Sequence, residues 1–399
     1  MRRMSAAVMT AVGLVAAVGL VAVAFSALAA AIPATLARAE PDAELRDLVT
    51  RHVQPLLLPP GGMAVALMID GRTEFFNFCM ADTARKQAMT SDALFNLASV
   101  GKVFTSTLLA QAVKRGEVAL DDPVAKYVTE LQQGGDIRKV TLGQLASHTS
   151  GLHRVPQQYE TWHRGQYSLP DFIRYLNAWQ ADDGHTPGQQ DLYSNTGFVL
   201  LALALQRRFD MPYAKLLEQR LLAPLGMTST AMPVPRPNAR GQIAPALRQR
   251  AVQGYAVDGH PVGQPGNEQG IFNWAGTGQM YSSARDMAVF LAANLGALPN
   301  NRPLQDAMAF AQQGVFTVNP RFTQALGWQV VRNDDLTIVD KNGGLNNTST
   351  YVGMIPQKKL GIVILGNRGK EPATRIGRQI MLALARSNVA ATDDGNNGN

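Results

Sequence analysis

"LYSNTGFVLLALALQ", residues 192–206, sets a phenol, a hydroxyl and an amide on the lip of a strongly apolar run. Taken alone it is a helix start: Ser194 or Asn195 caps, and "GFVLLALAL" packs. Tyr193 then falls on the break before the helix, where a side chain can project into a cleft. A second Tyr-x-Asn, Tyr175 to Asn177, lies inside the periodic run "DFIRYLNAW", where the tyrosine simply packs.

The surroundings of this stretch set its meaning. Upstream, "GMAVALMIDGRTEFFNFCMAD" reads as a hairpin around Asp70 and Gly71. "SDALFNLASVGKVFTSTLLAQAVKRG" follows as a helix, with Ser99 near its start and Gly116 near its end. From about residue 121 to 301 the helical spacing dominates, in "GFVLLALALQRRF", "YAKLLEQRLLAPLG" and "SSARDMAVFLAANLG". Strands return after Ala325, in "LGWQVV", "LTIVDKNG", "STYVGMIP" and "LGIVILGNR", and "ATRIGRQIMLALAR" closes the fold as an amphipathic helix. The pattern predicts an α+β protein. One unit, 40–120 with 302–388, comes from both chain ends, and a mostly helical unit, 121–301, is inserted between them. Such a layout places a cleft between the two parts. The tail, 389–399, is polar and predicted to be disordered.

Residues 1–39 read as an export signal. Arg2 and Arg3 precede a long Ala/Val/Leu run, and Ala37-Arg38-Ala39 fits a small-x-small cleavage site. The run is also long enough for an uncleaved membrane anchor. The 399-residue chain carries a net charge of +7, and loss of Arg2, Arg3 and Arg38 leaves about +4. With no basic run interleaved with aromatics, nucleic-acid binding has no support. The single cysteine, Cys79, cannot form an internal disulfide, and its apolar surroundings predict a buried core thiol.

Three short motifs carry chemistry. Ser99-x-x-Lys102 puts an ammonium on the helix face of a hydroxyl, and a serine needs such a neighbour to act as a nucleophile. Tyr193-x-Asn195 is the second. The third is Lys341-Asn342-Gly343-Gly344, late on a returning strand, where the glycines let a substrate approach the backbone. Lys114 and Lys359 also begin Lys-x-Gly triplets, but one ends a helix and the other opens a buried strand. Each motif alone reads as a cap, a packed tyrosine or a turn. Their order is what matters, since all three can meet at the cleft. Ser-x-x-Lys with Lys-x-Gly marks serine penicillin-recognising enzymes.

The chain resembles class C β-lactamases and related low-molecular-weight penicillin-binding proteins and esterases. The stretches that carry the likeness run in order through nearly the whole chain: "PGGMAVALMIDG", "LFNLASVGKVFTSTLLAQ", "VALDDPVAKYV", "TLGQLASHTSGL", "LYSNTGFVLLALAL", "LLAPLGMTST", "SARDMAVFL", "LGWQVV" and "TYVGMIPQKKLGIVILGNR". The resemblance implies an antiparallel sheet flanked by terminal helices, with the helical insertion beside it. It implies that Ser99 is acylated, that Lys102 and Tyr193 share the general-base work, and that Asn195 holds the acyl side-chain amide. Lys341 would support the substrate carboxylate and the Tyr193 phenol. The Ser99 and Gly344 backbone N–H groups would form an oxyanion hole. Asn342, Gly343 and Arg375 would line the carboxylate side.

An ordinary tyrosine, with a pKa of about 10, needs roughly 4 kcal/mol to ionise at pH 7, and an ammonium about 4 Å away supplies on the order of 4 kcal/mol. The alternative is a neutral Lys102, depressed by burial and by Lys341. Neither assignment follows from sequence.

The resemblance implies no cofactor and no metal, and the spacing of His148, His153 and His163 matches no usual zinc pattern. The implied partners are a small β-lactam or a peptidoglycan stem peptide, acted on by a periplasmic or secreted monomer. Three departures stand out. Asn342 replaces the usual Thr or Ser, Arg154 stands where class C enzymes often carry an amide, and the segment from Trp328 to Lys341 is short, which opens one rim. The expected activity is β-lactam hydrolysis. A D-alanyl-D-alanine carboxypeptidase or endopeptidase, an esterase, and a non-catalytic receptor are the alternatives.

Overall fold

The computed structural model describes residues 43–69, 71–156, 168–236, 239–267 and 275–393. The export signal expected at 1–39, Asp70, His163 and residues 394–399 lie outside the described residues. Residues 39–399 belong to one compact unit. No helix among the described residues is long and apolar enough to cross a membrane.

The opening hairpin pairs β1 (Gly62–Ile69) with β2 (Arg72–Asp82), Ile69 against Arg72. β1 is apolar at nearly every position because both its faces are covered. Met63, Val65 and Leu67 join one core cluster, and Ala64, Ala66 and Met68 join the other. β2 is half-exposed and alternates. Phe76 points inward, while Asn77 and Cys79 are exposed. The expectation of a buried thiol at Cys79 is therefore corrected. The run is apolar in composition, but Cys79 falls on the outward parity, at a positive φ of 58° where the strand departs from regular pairing.

β3 (Gln87–Ala88) borders β2, and β4 (Leu94–Asn96) leads into the turn that holds Ser99. β4 pairs not with the main sheet but with β5 (Tyr281–Ser283), a strand from late in the helical insertion. The chain ends supply β6 (Phe316–Asn319), β7 (Phe322–Gln324), β8 (Gln329–Asn333), β9 (Leu336–Leu345), β10 (Thr348–Ile355) and β11 (Leu360–Gly366). The nine-stranded sheet has the order β6-β7-β8-β9-β10-β11-β1-β2-β3, antiparallel throughout. Its centre joins the last strand to the first, as a sheet built from both chain ends requires.

Two terminal helices cover one face: α1 (Ala43–Val53), and a C-terminal helix over Ala373–Asp393 that runs past the boundary expected at 388. Val49, Val53, Ile376 and Ile380 pack there on Val65, Tyr351 and Ile364. The opposite face receives α2 (Lys102–Lys114), which is buried from Lys102 through Ala112 and so lies at the centre of the molecule. In the insertion follow α3 (Leu142–Ala146), α4 (Leu169–Ala178) and α5 (Asn195–Phe209). α6 (Ala284–Asn294) and α7 (Arg302–Ala311) return the chain to the sheet; the C-terminal helix is α8. One core cluster is continuous from the sheet into the insertion, through Ala64, Phe104, Leu200 and Phe290. Phe104 and Phe290 stack with centroids 4.2 Å apart. One close-packed core thus underlies both the sheet and the helices of the insertion.

Candidate active site

Ser99 lies on a 3₁₀ turn, Ala98–Gly101, that runs directly into α2. The turn is strained and braced. Ala98 sits at φ 48°, a left-handed conformation that a non-glycine residue rarely adopts. The Asn96 carboxamide oxygen accepts the Ala98 N–H at 2.9 Å, and its amide nitrogen donates to Gln279 Oε1 at 3.1 Å. Thr350 on β10 donates to the Leu97 carbonyl at 2.7 Å. A Cβ on Gly343 would lie 2.5 Å from the Leu97 oxygen and 3.0 Å from the Ser99 nitrogen, so β9 approaches this turn as only a glycine allows.

Lys102 is fully buried one turn on. Its Nζ lies 3.3 Å from Ser99 Oγ and donates to the Thr277 carbonyl at 2.6 Å. Burial pushes the Lys102 pKa well below that of an ordinary lysine, and the Arg154 guanidinium acts in the same direction.

The helix start at residue 194 is resolved in favour of serine. Ser194 Oγ accepts the Gly197 N–H at 2.9 Å, which leaves Tyr193 before the cap and Asn195 as the first helical residue. The Tyr193 hydroxyl reaches Ser99 Oγ at 2.6 Å. Lys102 Nζ and Lys341 Nζ stand 5.1 and 4.9 Å from the centroid of the Tyr193 ring. Lys341 is buried within β9. Its pKa is lowered by burial first and by Lys102, against the opposing pull of Tyr193, Asp340 and Asp191.

Asn195 is partly buried at the head of α5, and its N–H donates to the Arg154 carbonyl at 2.9 Å. Gly344 and Asn342 follow Lys341 along β9 and are exposed. Arg375 is exposed on the first turn of α8. The hollow beside Asn342 is lined instead by Thr374 and Arg378 of that helix. The decoys fall away: Tyr175 packs on the core from α4, and Lys359 is exposed on a turn.

Several contributors carry no motif. Thr277 supplies a carbonyl, bracketed by Gly276 and Gly278 at φ 92° and 135°; the "GTG" triplet is the signal that marks it. His148 packs its ring on Tyr193 with centroids 4.5 Å apart, and its Nδ1 accepts the Ser194 N–H at 3.1 Å. Burial, then Lys341 and Lys102, push its pKa well below the usual histidine value. It is therefore a neutral support with its proton on Nε2. Asp340, one residue before Lys341, is completely buried. It accepts from Arg378 Nε at 2.7 Å, Arg378 Nη2 at 3.1 Å and the Tyr351 hydroxyl at 2.8 Å. Among the described residues no group of three or more His, Cys, Asp or Glu is arranged to hold a metal ion.

A serine hydroxyl flanked by a buried amine and a phenol, on an antiparallel sheet with a helical lobe, defines the serine penicillin-recognising architecture. The Beta-lactamase family model matches residues 59–385, and the chain belongs to that family. A β-lactamase of Pseudomonas fluorescens is 28% identical over 368 residues, covering 84% of this chain and 96% of the relative. Among solved structures, a β-lactamase/D-alanine carboxypeptidase from Pseudomonas syringae aligns with a TM-score of 0.75 and 27% identity, over 86% of this chain and 99% of the other. A D-alanine carboxypeptidase from Burkholderia cenocepacia aligns with a TM-score of 0.72 and 29% identity, over 85% and 99%.

Proposed function

We propose that this protein is a serine hydrolase that opens the amide of β-lactams through an acyl-enzyme on Ser99. One observation carries the reading: Ser99 Oγ lies within hydrogen-bonding reach of both the Tyr193 hydroxyl and the Lys102 amine. The depressed Lys102 pKa favours the neutral amine as the proton acceptor over an ionised tyrosine.

Oγ forms a bond to the lactam carbonyl carbon while its proton passes to Lys102. The carbonyl oxygen takes up negative charge against the Ser99 and Gly344 N–H groups. The C–N bond then breaks, and the nitrogen leaves with a proton delivered through the Tyr193 hydroxyl. In deacylation a water adds to the ester carbon, its proton follows the same groups in reverse, and Oγ regains a hydrogen. Asn195 holds the acyl side-chain amide. Lys341 receives the substrate carboxylate, with Asn342, Gly343 and Arg375 along that side. The reaction calls for no cofactor. The enzyme works as a monomer on small substrates outside the cytoplasmic membrane, delivered there by the N-terminal segment.

A second reading, a D-alanyl-D-alanine carboxypeptidase, is favoured by the likeness to the β-lactamase/D-alanine carboxypeptidase of Pseudomonas syringae and the D-alanine carboxypeptidase of Burkholderia cenocepacia. Intact-mass spectrometry with a penicillin and a cephalosporin, using Ser99→Ala as control, separates the two. An adduct that appears and vanishes with many turnovers is expected. A lasting adduct with almost no turnover assigns the carboxypeptidase. No adduct at all refutes both readings and leaves an esterase or a receptor.

A further inference from the structure

The cleft has two rims. β9 supplies one, with Lys341, Asn342 and Gly344. The other is the head of α5, which the chain around residue 154 meets from far upstream. There the Arg154 carbonyl accepts the N–H groups of Asn195 at 2.9 Å and Thr196 at 3.3 Å, so Arg154 is tied to the head of the helix that carries Asn195.

Its side chain turns into the cleft. The guanidinium carbon stands 5.5 Å from the centroid of the Tyr193 ring. Its charge also reaches Lys102, where it is the one charged group that adds to burial in depressing that amine. Arg154 is exposed, and its guanidinium makes no hydrogen bond or ion pair to any described residue. Most of the other arginines near the site are committed. Arg378 is paired with Asp340, and Arg368 donates to the Pro59 and Val257 carbonyls.

A permanent cation whose planar fork is unpartnered among the described residues is thus held over the Tyr193 ring, on a residue whose backbone is tied to the N–H of Asn195. A guanidinium in that state matches a carboxylate in charge and in shape. Lys341, on β9, is the group proposed to receive the substrate carboxylate, and a carboxylate placed there leaves Arg154 unanswered. What remains for Arg154 is a second anionic group, borne on the acyl side of the scissile bond.

We propose that Arg154 makes this site selective for acyl donors that carry a carboxylate on the acyl side chain. The proposal rests on the acyl-enzyme reading of Ser99. The chemistry is common to two sources, a β-lactam with a carboxylated side chain and a stem peptide with a carboxylate upstream of its D-alanyl-D-alanine end.

Two substrate pairs test it, each differing in the added carboxylate. One is benzylpenicillin and its α-carboxy analogue. The other is Nα,Nε-diacetyl-Lys-D-Ala-D-Ala and its Nε-succinyl analogue. The readout is the ratio of kcat/KM within each pair, so that any general damage to the site cancels. Wild type, Arg154→Gln and Arg154→Lys are compared, with Ser99 acylation followed by intact mass.

The wild-type preference for the carboxylated member is expected to fall about tenfold in Arg154→Gln, and by less in Arg154→Lys, which keeps the charge but not the fork. A fall in the penicillin pair alone assigns the β-lactam source, and a fall in the peptide pair alone assigns the stem peptide. A ratio unchanged or raised by Arg154→Gln in both pairs overturns the proposal while leaving the acyl-enzyme intact. Failure of all four compounds to acylate Ser99 refutes the acyl-enzyme reading and this inference with it.

Discussion

Lys102 donates a 2.6 Å hydrogen bond to the carbonyl of Thr277 while lying 3.3 Å from Ser99 Oγ, and its side chain has no exposure to water. One carbonyl and one hydroxyl satisfy an amine better than an ammonium with three donors. The site therefore keeps a lysine in its less soluble, more reactive form. Burial there works against the fold and for the chemistry.

That opposition has a measurable sign. A lysine in the unfolded chain titrates near 10.4. In the fold Lys102 titrates well below that. Between the two values the unfolded chain binds a proton that the native state excludes. The stability from this group is thus present above about pH 10.4 and is lost as pH falls toward the folded pKa, by up to about 1.4 kcal/mol per unit. Lys102→Met removes the dependence. Urea unfolding at several pH values should show the variant gaining on wild type as pH drops from 10 toward 7, although Ser99 acylation falls about 10²- to 10⁴-fold. A difference that does not vary with pH would mean the buried amine is charged.

Gly343 is the second test, because it sets how closely β9 meets the turn that carries Ser99, the proposed nucleophile. In Gly343→Ala the new methyl would press on the Leu97 carbonyl and the Ser99 nitrogen, both backbone atoms of a braced turn. Overpacking of this kind costs about 1–3 kcal/mol, and a displacement of about 1 Å at the nucleophile lowers acylation on the order of 100-fold. Thermal unfolding and acylation rates measured on the same preparation should show both losses. Acylation at the wild-type rate would mean that the turn has room to move.

Asp191 lies two residues before Tyr193. It is half-buried and makes no hydrogen bond or ion pair to any described residue. Burial raises its pKa, and Lys341 opposes that rise. An anion within reach of Lys341 competes with the carboxylate that the lysine is proposed to receive. Asp191→Asn should lower the KM for benzylpenicillin about two- to fivefold with little change in kcat, an effect typical of a partly exposed charge pair. The gain should shrink between about 0.05 and about 0.5 M salt. An unchanged KM, or one insensitive to salt, would detach Asp191 from the carboxylate side of the site.

Much of this arrangement was legible in the sequence. Apolar runs bounded by turn residues placed β1 and the returning strands. Three short motifs, each unremarkable alone, named Ser99, Lys102, Tyr193 and Lys341 through their order along the chain. What stayed hidden shares a cause. Thr277 contributes a carbonyl, which every residue has, and Asp340 finds Arg378 across 38 positions, which no local pattern announces. Cys79 was misread because apolar composition says that a strand packs but not which parity faces in. Arg378, one helical turn after Arg375, packs down onto β9, a contact that no local pattern in the sequence marks.

The Asp340–Arg378 pair gives the last prediction. Asp340 is wholly buried beside Lys341, and it is held by two Arg378 nitrogens and the Tyr351 hydroxyl. The pairing with Asp340 raises the Arg378 pKa against the effect of burial. Arg378→Met leaves the carboxylate with one neutral donor in a dry sheet, a loss of about 3–5 kcal/mol. Tyr351→Phe removes only the neutral donor and should cost about 1–2 kcal/mol. Because Asp340 also supports the charge on Lys341, Arg378→Met should disturb the carboxylate side of the site as well as the fold. Denaturant unfolding of the two variants, with KM for benzylpenicillin measured alongside, distinguishes the cases. Equal losses in the two variants would mean that Arg378 packs on Asp340 without neutralising it.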